Sequence, residues 1–272
     1  MARALIGMSG WLYPPWRGMF YPKGLRQRDE LAYASSHVTS IEINGSFYSL
    51  QAPKNWQSWY EGTPPDFVFS VKGPRFITHM KRMKDVDAPL ANFFASGLLA
   101  LREKLGCMLW QFPGNLPFDA DVLDAFLARL PKTTAEAAAM AAAHEPDRMK
   151  GRTFFELDAE RPIRHAFEPR HPSFDCQEFR DVLTRYSAAA VLADTAGTFP
   201  VIDMDTDGFR YARLHGDEEL YVSGYTDEAL DRWAERVRGW LAQGRDAYVY
   251  FDNDVKVRAP VDAMSLIRKL EE

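Results

Sequence analysis

The chain has 272 residues, with 33 Lys and Arg against 38 Asp and Glu. Its formal net charge of −5 is typical of a soluble globular protein and not of one with a global basic surface for duplex nucleic acid. No run of about 18 apolar residues is present, which excludes a transmembrane helix. Two cysteines, Cys107 and Cys176, are too few for a disulfide framework or a cysteine zinc site. The N-terminal segment has no apolar stretch followed by a cleavage site, so we expect a cytoplasmic protein with no membrane partner.

Runs rich in β-branched and aromatic residues alternate along the chain with longer segments of helical periodicity. The predicted strands are Leu5–Ser9, Ser40–Asn44, Phe67–Lys72, Cys107–Phe112, Arg164–Glu168, Ala189–Asp194, Phe209–His215 and Ala247–Asp254. This alternation is typical of parallel strands joined by crossover helices. Eight such units in about 250 residues favour an α/β fold, a single-domain (β/α)₈ TIM barrel. A doubly wound sheet often has a glycine-rich turn after its first strand, and residues 7–11 lack its third glycine.

The predicted helices cover 26–37, 53–61, 88–105, 120–130, 174–187, 227–243 and 262–271. Ser173 and Thr226 each precede acidic residues and a periodic apolar run, which predicts two N-caps. The connection from Thr195 to Asp207 is expected to hold only a turn or a short helix. Alanine dominates residues 133–152, which predicts an extra surface helix within an insert of about 133–162 between strands 4 and 5.

Polar side chains end every predicted strand from the second to the eighth. Ile41 and Ile43 share one face of their strand and are expected to pack under helices, which turns Glu42 and Asn44 inward. The same alternation predicts inward groups at Lys72, Gln111, Glu168, Arg170, Asp194, Arg213, His215, Asp252 and Asp254. Strand ends at the C-terminal face of a TIM barrel form its active site. Buried charges are costly unless they are paired or used, so either a functional site or a ring of salt bridges is expected here.

The types of these residues suggest a chemistry. Lys72, Arg170 and Arg213, with His171 and His215 nearby, suit a carboxylate or phosphate group. The carboxylates are Glu42, Glu168, Asp194 and Asp254, and the mixture favours proton transfer on a small anionic substrate without a cofactor. An alternative is a divalent metal held by Glu168, Asp194, His215 and Asp254, although no recognised metal-binding spacing is present.

A basic segment follows the third predicted strand. Arg75, His79, Lys81, Arg82 and Lys84 lie within ten residues. They form either a phosphate-gripping loop for a nucleotide or nucleic acid, or a solvated loop balanced by nearby aspartates. The aromatic residues near the predicted mouth either stack on a base or sugar or pack loops onto the barrel; they are Trp11, Trp16, Phe20, Tyr21, Phe47 and Tyr48.

Seven motifs occur in order along nearly the whole chain: SGW-x₄-W-x₂-MFYP, EIN-x-SFY, FxFSVKGPRFITH, LGxxLWQFP, E-x-RHPSF, YxRLHG and YFDND. Together they resemble the family known as domain of unknown function 72 (DUF72). The resemblance implies a TIM barrel and leaves the reaction open. The family's motif positions fall on Trp11, Tyr21, Glu42, Asn44, Phe47, Tyr48, Lys72, His79, Gln111, Glu168, Arg170, His171, Asp194, Arg213, His215, Gly216, Asn253 and Asp254.

The chain departs from the family pattern near its end. Asp252 replaces an asparagine, Val257 a glycine and Asp262 an asparagine. A glycine lets a ligand or backbone approach closely, so Val257 changes what can bind at that corner.

The sequence therefore predicts a TIM-barrel enzyme that performs acid–base chemistry on a small phosphate- or carboxylate-bearing substrate. Glu42, Glu168 and His215 are the candidate acid–base groups, and Asp194 and Asp254 are expected to orient them. The expected substrate-binding residues are Trp11, Asn44, Tyr48, Lys72, His79, Gln111, Arg170, His171, Arg213 and Asn253. The alternatives are a divalent-metal hydrolase or isomerase and a non-catalytic barrel that binds a nucleotide or nucleic acid.

Overall fold

A computed structural model describes residues 1–206 and 208–272. Within these residues, eight parallel strands close into a barrel in chain order, which confirms the predicted TIM-barrel fold. The strands are β1 (Ala4–Ser9), β2 (Ser40–Ile43), β3 (Val68–Lys72), β4 (Leu105–Gln111), β5 (Arg164–Glu168), β6 (Ala189–Asp194), β7 (Arg210–Leu214) and β8 (Ala247–Phe251). The barrel closes where β1 pairs with β8, in a register that runs from Ala4 opposite Ala247 to Met8 opposite Phe251.

Alternating side chains divide the core into two layers. Ile41, Ile43 and Trp110 point outward and pack in the layer between strands and helices. Leu109 and Tyr250 point inward and belong to the smaller cluster that fills the barrel. Parallel strands are buried on both faces in this fold, so apolar residues occupy both sides of most strands.

Helices cover the outside of the barrel and several connections. They are α1 (Glu30–Ser35), α2 (Gly45–Tyr48), α3 (Pro53–Glu61), α4 (Asp87–Ala95), α5 (Ala120–Arg129), α6 (Thr134–Ala141), α7 (Pro146–Met149), α8 (Gln177–Arg185), α9 (Asp227–Ala242) and α10 (Arg258–Glu271). Thr226 caps α9 as predicted, because its hydroxyl accepts a hydrogen bond from the Ala229 amide.

The predicted helix over 88–105 is wrong in its second half. The helix α4 ends at Ala95, and Gly97 then adopts a φ of 110°. Only glycine reaches this conformation easily, and a Cβ atom there would lie 2.8 Å from the Cα atom of Pro53. Residues 98–104 continue as tight turns with a kink at Arg102.

Three other helix starts differ from the predictions, beginning with α1, which starts at Glu30 and not at 26. Ser173 is not an N-cap of α8: it lies in the short turn Pro172–Phe174, its hydroxyl accepts from the Phe118 amide, and the helix begins at Gln177. The last helix begins at Arg258, four residues before the predicted start, because Pro260 is tolerated within a first turn. Val257, just before it, has a φ of 59°.

The alanine-rich insert is helical, as predicted. Thr133 caps α6, and the insert is fastened to α4 because the side chain of Asn92 bonds both the amide and the carboxylate of Glu145. In the connection from Thr195, no helix forms through residue 206, and Asp207 lies outside the described residues. No helix in the described part of the chain is long and apolar enough to cross a membrane.

Candidate active site

One arginine lies at the centre of the C-terminal end of the barrel. The side chain of Arg213 points inward from β7 and is fully buried. Its guanidinium lies 2.8 Å from a carboxylate oxygen of each of Glu42, Glu168 and Asp252. We call these four residues the mouth cluster. Buried charges persist only when paired in this way, and the carboxylates raise the pKa of Arg213 although burial opposes it.

Glu42 lies at the bottom of the mouth cluster and has all its hydrogen-bond partners in place. Its Oε1 accepts from the Ser9 hydroxyl at 2.8 Å, and its Oε2 accepts from the Tyr211 hydroxyl at 2.6 Å. Arg213 donates to both oxygens. The prediction that Glu42 points inward is confirmed, and its carboxylate is fully buried.

Glu168 joins the mouth cluster to two other predicted residues. Its Oε1 accepts from Gln111 Nε2 at 2.9 Å and from Arg170 Nε at 3.0 Å. Burial alone would raise the pKa of Glu168, but Arg213 and Arg170 hold it well below its usual range. Glu168 is therefore a carboxylate at neutral pH and is poorly suited to be a general acid.

His215 lies between two carboxylates of the mouth cluster. Its Nδ1 is 3.2 Å from Asp252 Oδ2, and its Nε2 is 3.9 Å from Glu168 Oε1. The ring is fully buried and meets Tyr221 edge to face. Burial opposes the charge on Asp252, but Arg213 lowers the pKa of this carboxyl to about 2.

Lys72 ends β3 at the rim of the same cluster, with different surroundings. Its Nζ lies 4.4 Å from the centre of the Phe47 ring. No carboxylate of the described residues is within ion-pair distance of Nζ, and Nζ makes no hydrogen bond among them. Burial, followed by the charge of Arg213, lowers the pKa of Lys72 to about 8, although nearby carboxylates oppose this change.

His79 lies beside Lys72 and Arg170 in the turn Phe76–Met80, which follows β3. Its ring packs edge to face on Phe47, and its Nδ1 is 2.9 Å from the Thr78 hydroxyl. Burial, then the charges of Lys72 and Arg170, lowers the pKa of His79 to about 4. The imidazole is therefore neutral at physiological pH and adds no charge to this part of the mouth.

Asp254 follows β8, which is separated from β3 by β1 and β2 around the barrel. Burial and the neighbouring charge of Asp252 raise the pKa of Asp254 to about 6. Its backbone carbonyl accepts from Trp16 Nε1 at 3.2 Å. Lys72 and Asp254 are thus two mouth residues with pKa values near neutrality.

A small aromatic cavity lies between the ends of β1 and β2. Its volume is about 250 Å³, and its lining includes Trp11, Tyr13, Asn44 and Trp59. Asn44 follows β2, and its Oδ1 is buried without a hydrogen-bond partner among the described residues. Trp11 meets Trp59 edge to face at 5.3 Å. Trp11 and Asn44 are therefore brought together, beside the mouth cluster rather than in it.

The predicted inward orientation of Asp194 is wrong. On β6, Val191 lies in the interior cluster, whereas Leu192 packs in the outer layer. Asp194 shares the outward side with Leu192, and its Oδ2 accepts from the Tyr225 hydroxyl at 3.0 Å. Burial raises its pKa although Tyr225 opposes the change. Asp194 therefore anchors the segment before α9 and does not orient the mouth cluster.

Three predicted binding residues lie away from the cluster. Asn253 points outward, and its Nδ2 donates to Asp262 Oδ2 at 2.8 Å, which fixes the start of α10. His171 binds the hydroxyl and amide of Ser173 through Nδ1. Tyr48 is 72% exposed on α2.

The four predicted metal ligands do not converge. Asp194 is bonded to Tyr225, whereas Glu168 belongs to the mouth cluster and His215 lies beside it. Among residues 1–206 and 208–272, no three His, Cys, Asp or Glu side chains are grouped as a metal site requires. The donor set therefore does not fit the metal alternative in the form that the sequence suggested.

The basic segment after β3 borders a separate cavity of about 640 Å³. Arg75 and Lys81 line it from one side, and Arg148 of the insert faces them, 5.9 Å from the centre of the Phe76 ring. Asp85 and Glu145 also line this space. The cavity is therefore a mixed-charge groove between the barrel and the insert.

Several residues of the site were not among the predicted ones. Asp252 was placed inward by its position in the strand but was not assigned a role. Ser9 and Tyr211 also share inward positions, which the alternation along β1 and β7 predicts once the barrel is assumed. Tyr221 gave no sequence signal, because it enters from the irregular segment after β7, where its hydroxyl lies 3.4 Å from Arg170 Nη2.

Comparison with known proteins shows similarity to one protein family. A family model described as "Protein of unknown function DUF72" matches residues 5–272. The UPF0759 protein YunF of Bacillus subtilis is 32% identical over 118 residues, which are 40% of this chain and 39% of YunF. The UPF0759 protein YecE of Escherichia coli is 29% identical over 127 residues, 46% of this chain and 44% of YecE. The match thus spans less than half of each of these relatives.

Solved structures support the fold. A DUF72 family protein of Thermotoga maritima is 25% identical, with a TM-score of 0.75 over 99% of this chain and 100% of that one. A DUF72 family protein of Enterococcus faecalis has a TM-score of 0.74 at 17% identity, over 100% of this chain and 96% of the other. These similarities concern the architecture and do not identify the chemistry at the mouth of the barrel.

Proposed function

The chain belongs to the DUF72 family, a family of unknown function, and we propose that it is an enzyme that performs acid–base chemistry on a small anionic substrate at the C-terminal mouth of the barrel. The observation that carries the proposal is the unequal use of three cations. Arg213 donates to three carboxylates and is fully buried, whereas Lys72 has no ion pair and Arg170 is 15% exposed. Lys72 and Arg170 can therefore receive a carboxylate or phosphate.

The roles differ from those expected from the sequence alone. Arg213 orients the carboxylates of the cluster and does not contact the substrate. Glu168 holds Arg170 in place through the bond between Nε and Oε1. Proton transfer falls to the two groups whose pKa values lie on either side of neutrality, Lys72 at about 8 and Asp254 at about 6.

Phosphate binding tests the anion site directly. Arg170 and Arg164 stand at opposite ends of the region around β5, and both are partly exposed and paired with a carboxylate. Inorganic phosphate should raise the Tm of the wild-type chain and of the matched control Arg164→Gln, and should have little effect on Arg170→Gln. A phosphate effect that survives Arg170→Gln contradicts the assigned anion site.

Turnover is tested with a panel of small phosphorylated and carboxylated compounds followed by NMR. Glu168→Gln should reduce turnover to background while the chain remains folded, because Arg170 loses its charged partner and the mouth loses a negative charge. Undiminished turnover by a folded Glu168→Gln variant would contradict the role of Glu168 in holding Arg170.

A second candidate function is a non-catalytic barrel that binds a nucleotide or nucleic acid. The observation that favours it is the 640 Å³ groove lined by Arg75, Lys81 and Arg148. Binding there should weaken steeply with salt and should persist in Arg170→Gln.

A further inference from the structure

The buried lysines of this chain are held in different ways. Lys104 donates three hydrogen bonds from Nζ: to the Tyr60 carbonyl at 2.6 Å, the Thr63 carbonyl at 2.8 Å and the Thr63 hydroxyl at 3.1 Å. These contacts use the ammonium group as a structural cation, which is the usual role of a lysine removed from water.

Lys72 is largely buried without such partners. It is 7% exposed, and among the described residues its Nζ has neither an ion pair nor a hydrogen bond. A lysine that is desolvated and lies near other cations has a larger unprotonated fraction, which makes it a nucleophile. With its pKa at about 8, about a tenth of the amine is unprotonated at pH 7, against fewer than about one in a thousand for a solvated lysine.

The position of Lys72 suits a reacting group. It ends β3 at the mouth, where the active sites of this fold lie. The Phe47 ring lies 4.4 Å from the amine, and the charges of both Lys72 and Arg170 act on the neighbouring His79. A substrate whose anionic group binds Arg170 would therefore present its next atoms to the amine.

We propose that Lys72 is a catalytic nucleophile that forms an imine with the aldehyde or ketone group of a small carboxylate- or phosphate-bearing substrate. This inference rests on the proposed function, since it uses the same anion site, and it adds the substrate class and the covalent step. The substrate is a carbonyl compound whose anionic group lies within a few atoms of the carbonyl carbon.

The step balances without an oxidant or a cofactor. The neutral amine attacks the carbonyl carbon, a C–N bond forms, and the carbonyl electron pair moves to oxygen, which takes up a proton. The carbinolamine then loses water: the C–O bond breaks and a C=N bond forms. The carbonyl oxygen leaves as water together with two protons, which equal in number the two hydrogens that the amine has lost. The neutral His79 ring can relay a proton during this exchange. Protonation of the imine makes the adjacent carbon acidic, which links it to the acid–base chemistry of the mouth.

Reductive trapping with pyruvate tests the imine. The folded chain is incubated at pH 7 with pyruvate and sodium cyanoborohydride, and peptides are mapped by mass spectrometry over time. The peptide with Lys72 should gain the mass of pyruvate less one oxygen atom, at least about tenfold faster than the peptide with the exposed Lys23. Lys104→Arg should leave this labelling unchanged, and Lys72→Arg, which keeps the charge, should abolish it.

Circular dichroism establishes that each variant is folded, and inorganic phosphate is titrated in parallel by thermal shift. Labelling of Lys72 at the rate of Lys23, or slower, overturns the imine. If phosphate still binds in a manner that depends on Arg170, the proposed anion site stands without the covalent step. If phosphate binding and trapping both fail, both proposals are overturned. Trapping that inorganic phosphate suppresses supports both.

Discussion

Arg213 and Lys72 lie at the same end of one barrel, yet the surrounding residues treat their charges in opposite ways. Arg213 is enclosed by three carboxylates at 2.8 Å and has no exposed surface. Lys72 is almost as buried and has no ionic partner among the described residues. Removing a paired buried cation leaves its carboxylate partners without a counter-charge, whereas an unpaired buried cation carries a free-energy cost that is typical of functional sites. The difference separates the supporting part of the mouth from its reactive part.

Removing the neutralised charge should have the largest effect. Arg213→Met leaves Glu42, Glu168 and Asp252 without their shared counter-charge, and the free energy of unfolding should fall by about 3–5 kcal/mol. Urea denaturation followed by circular dichroism measures the loss. The matched control is Arg164→Met, which breaks a partly exposed ion pair and should cost less than about 1 kcal/mol. Similar losses for both variants would mean that the cluster is not a structural centre.

Removing the charge of Lys72, which has no ion pair among the described residues, should raise the free energy of unfolding. The pKa of Lys72 is lowered from 10.5 to about 8, so below pH 8 the fold must hold a cation that the unfolded chain holds more easily. Lys72→Met should therefore be more stable at pH 7, by up to about 3 kcal/mol. Besides burial, the charged groups that set this pKa face Lys72 from β2, β5, β7 and the segment after β8: Glu42, Glu168, Arg213 and Asp252.

The pH dependence gives the check. Between pH 8 and pH 10.5 the native chain has lost the Lys72 proton while the unfolded chain retains it, so the wild type gains stability as pH rises. The advantage of Lys72→Met should shrink across this window. A Lys72→Met variant that is less stable than wild type at pH 7 contradicts an unpartnered ammonium.

The smallest expected effect is a change in the pKa of Lys72, which should respond to one aspartate and not to another. Asp252 faces Lys72 and raises its pKa, although burial and Arg213 dominate, whereas Asp194 is not among the charges that act on Lys72. Asp252→Asn should lower the pKa of Lys72 further, and Asp194→Asn should leave it unchanged. NMR titration of ¹³C-labelled lysine measures both values. Equal responses would place Asp194 in the mouth after all.

The fold was predictable because the pattern repeats. Strands rich in β-branched and aromatic residues alternate with helical segments eight times, and each predicted strand overlaps an observed one. Helix ends were harder to predict, because local packing decides them. The turn at Gly97 depends on its approach to Pro53, and these residues are distant in sequence.

The site was predictable where the two faces of a strand differ. In β2, Ile41 and Ile43 alternate with Ser40 and Glu42, so the inward orientation of Glu42 follows from the sequence. In β6 the residues before Asp194 are apolar on both faces, and the pattern could not tell which side turns inward. Parallel strands that are buried on both sides remove this signal.

Which cation would be neutralised was not predictable. Strand alternation places Lys72 and Arg213 on the same inner surface of the barrel. Lys72 is the last residue of β3, whereas Arg213 comes before the last residue of β7. Arg213 lies in register with Tyr250 on β8, close enough for Asp252 to become its third carboxylate partner. The resemblance described for the sequence implies an asparagine at position 252, where this chain has the charged Asp252.

The closure of β1 against β8 affects how the chain folds during synthesis. Ser9 and Glu42 leave the ribosome before Arg213 and Asp252, which are more than 170 residues further along the chain. Until β8 pairs with Ala4–Ser9, the first strand has an open edge and the Glu42 carboxylate stays hydrated. Pairing of these ions and removal of the open edge of β1 therefore both require residues that are synthesised after the first six strands. An incomplete chain is for this reason the species most exposed to aggregation and to chaperones.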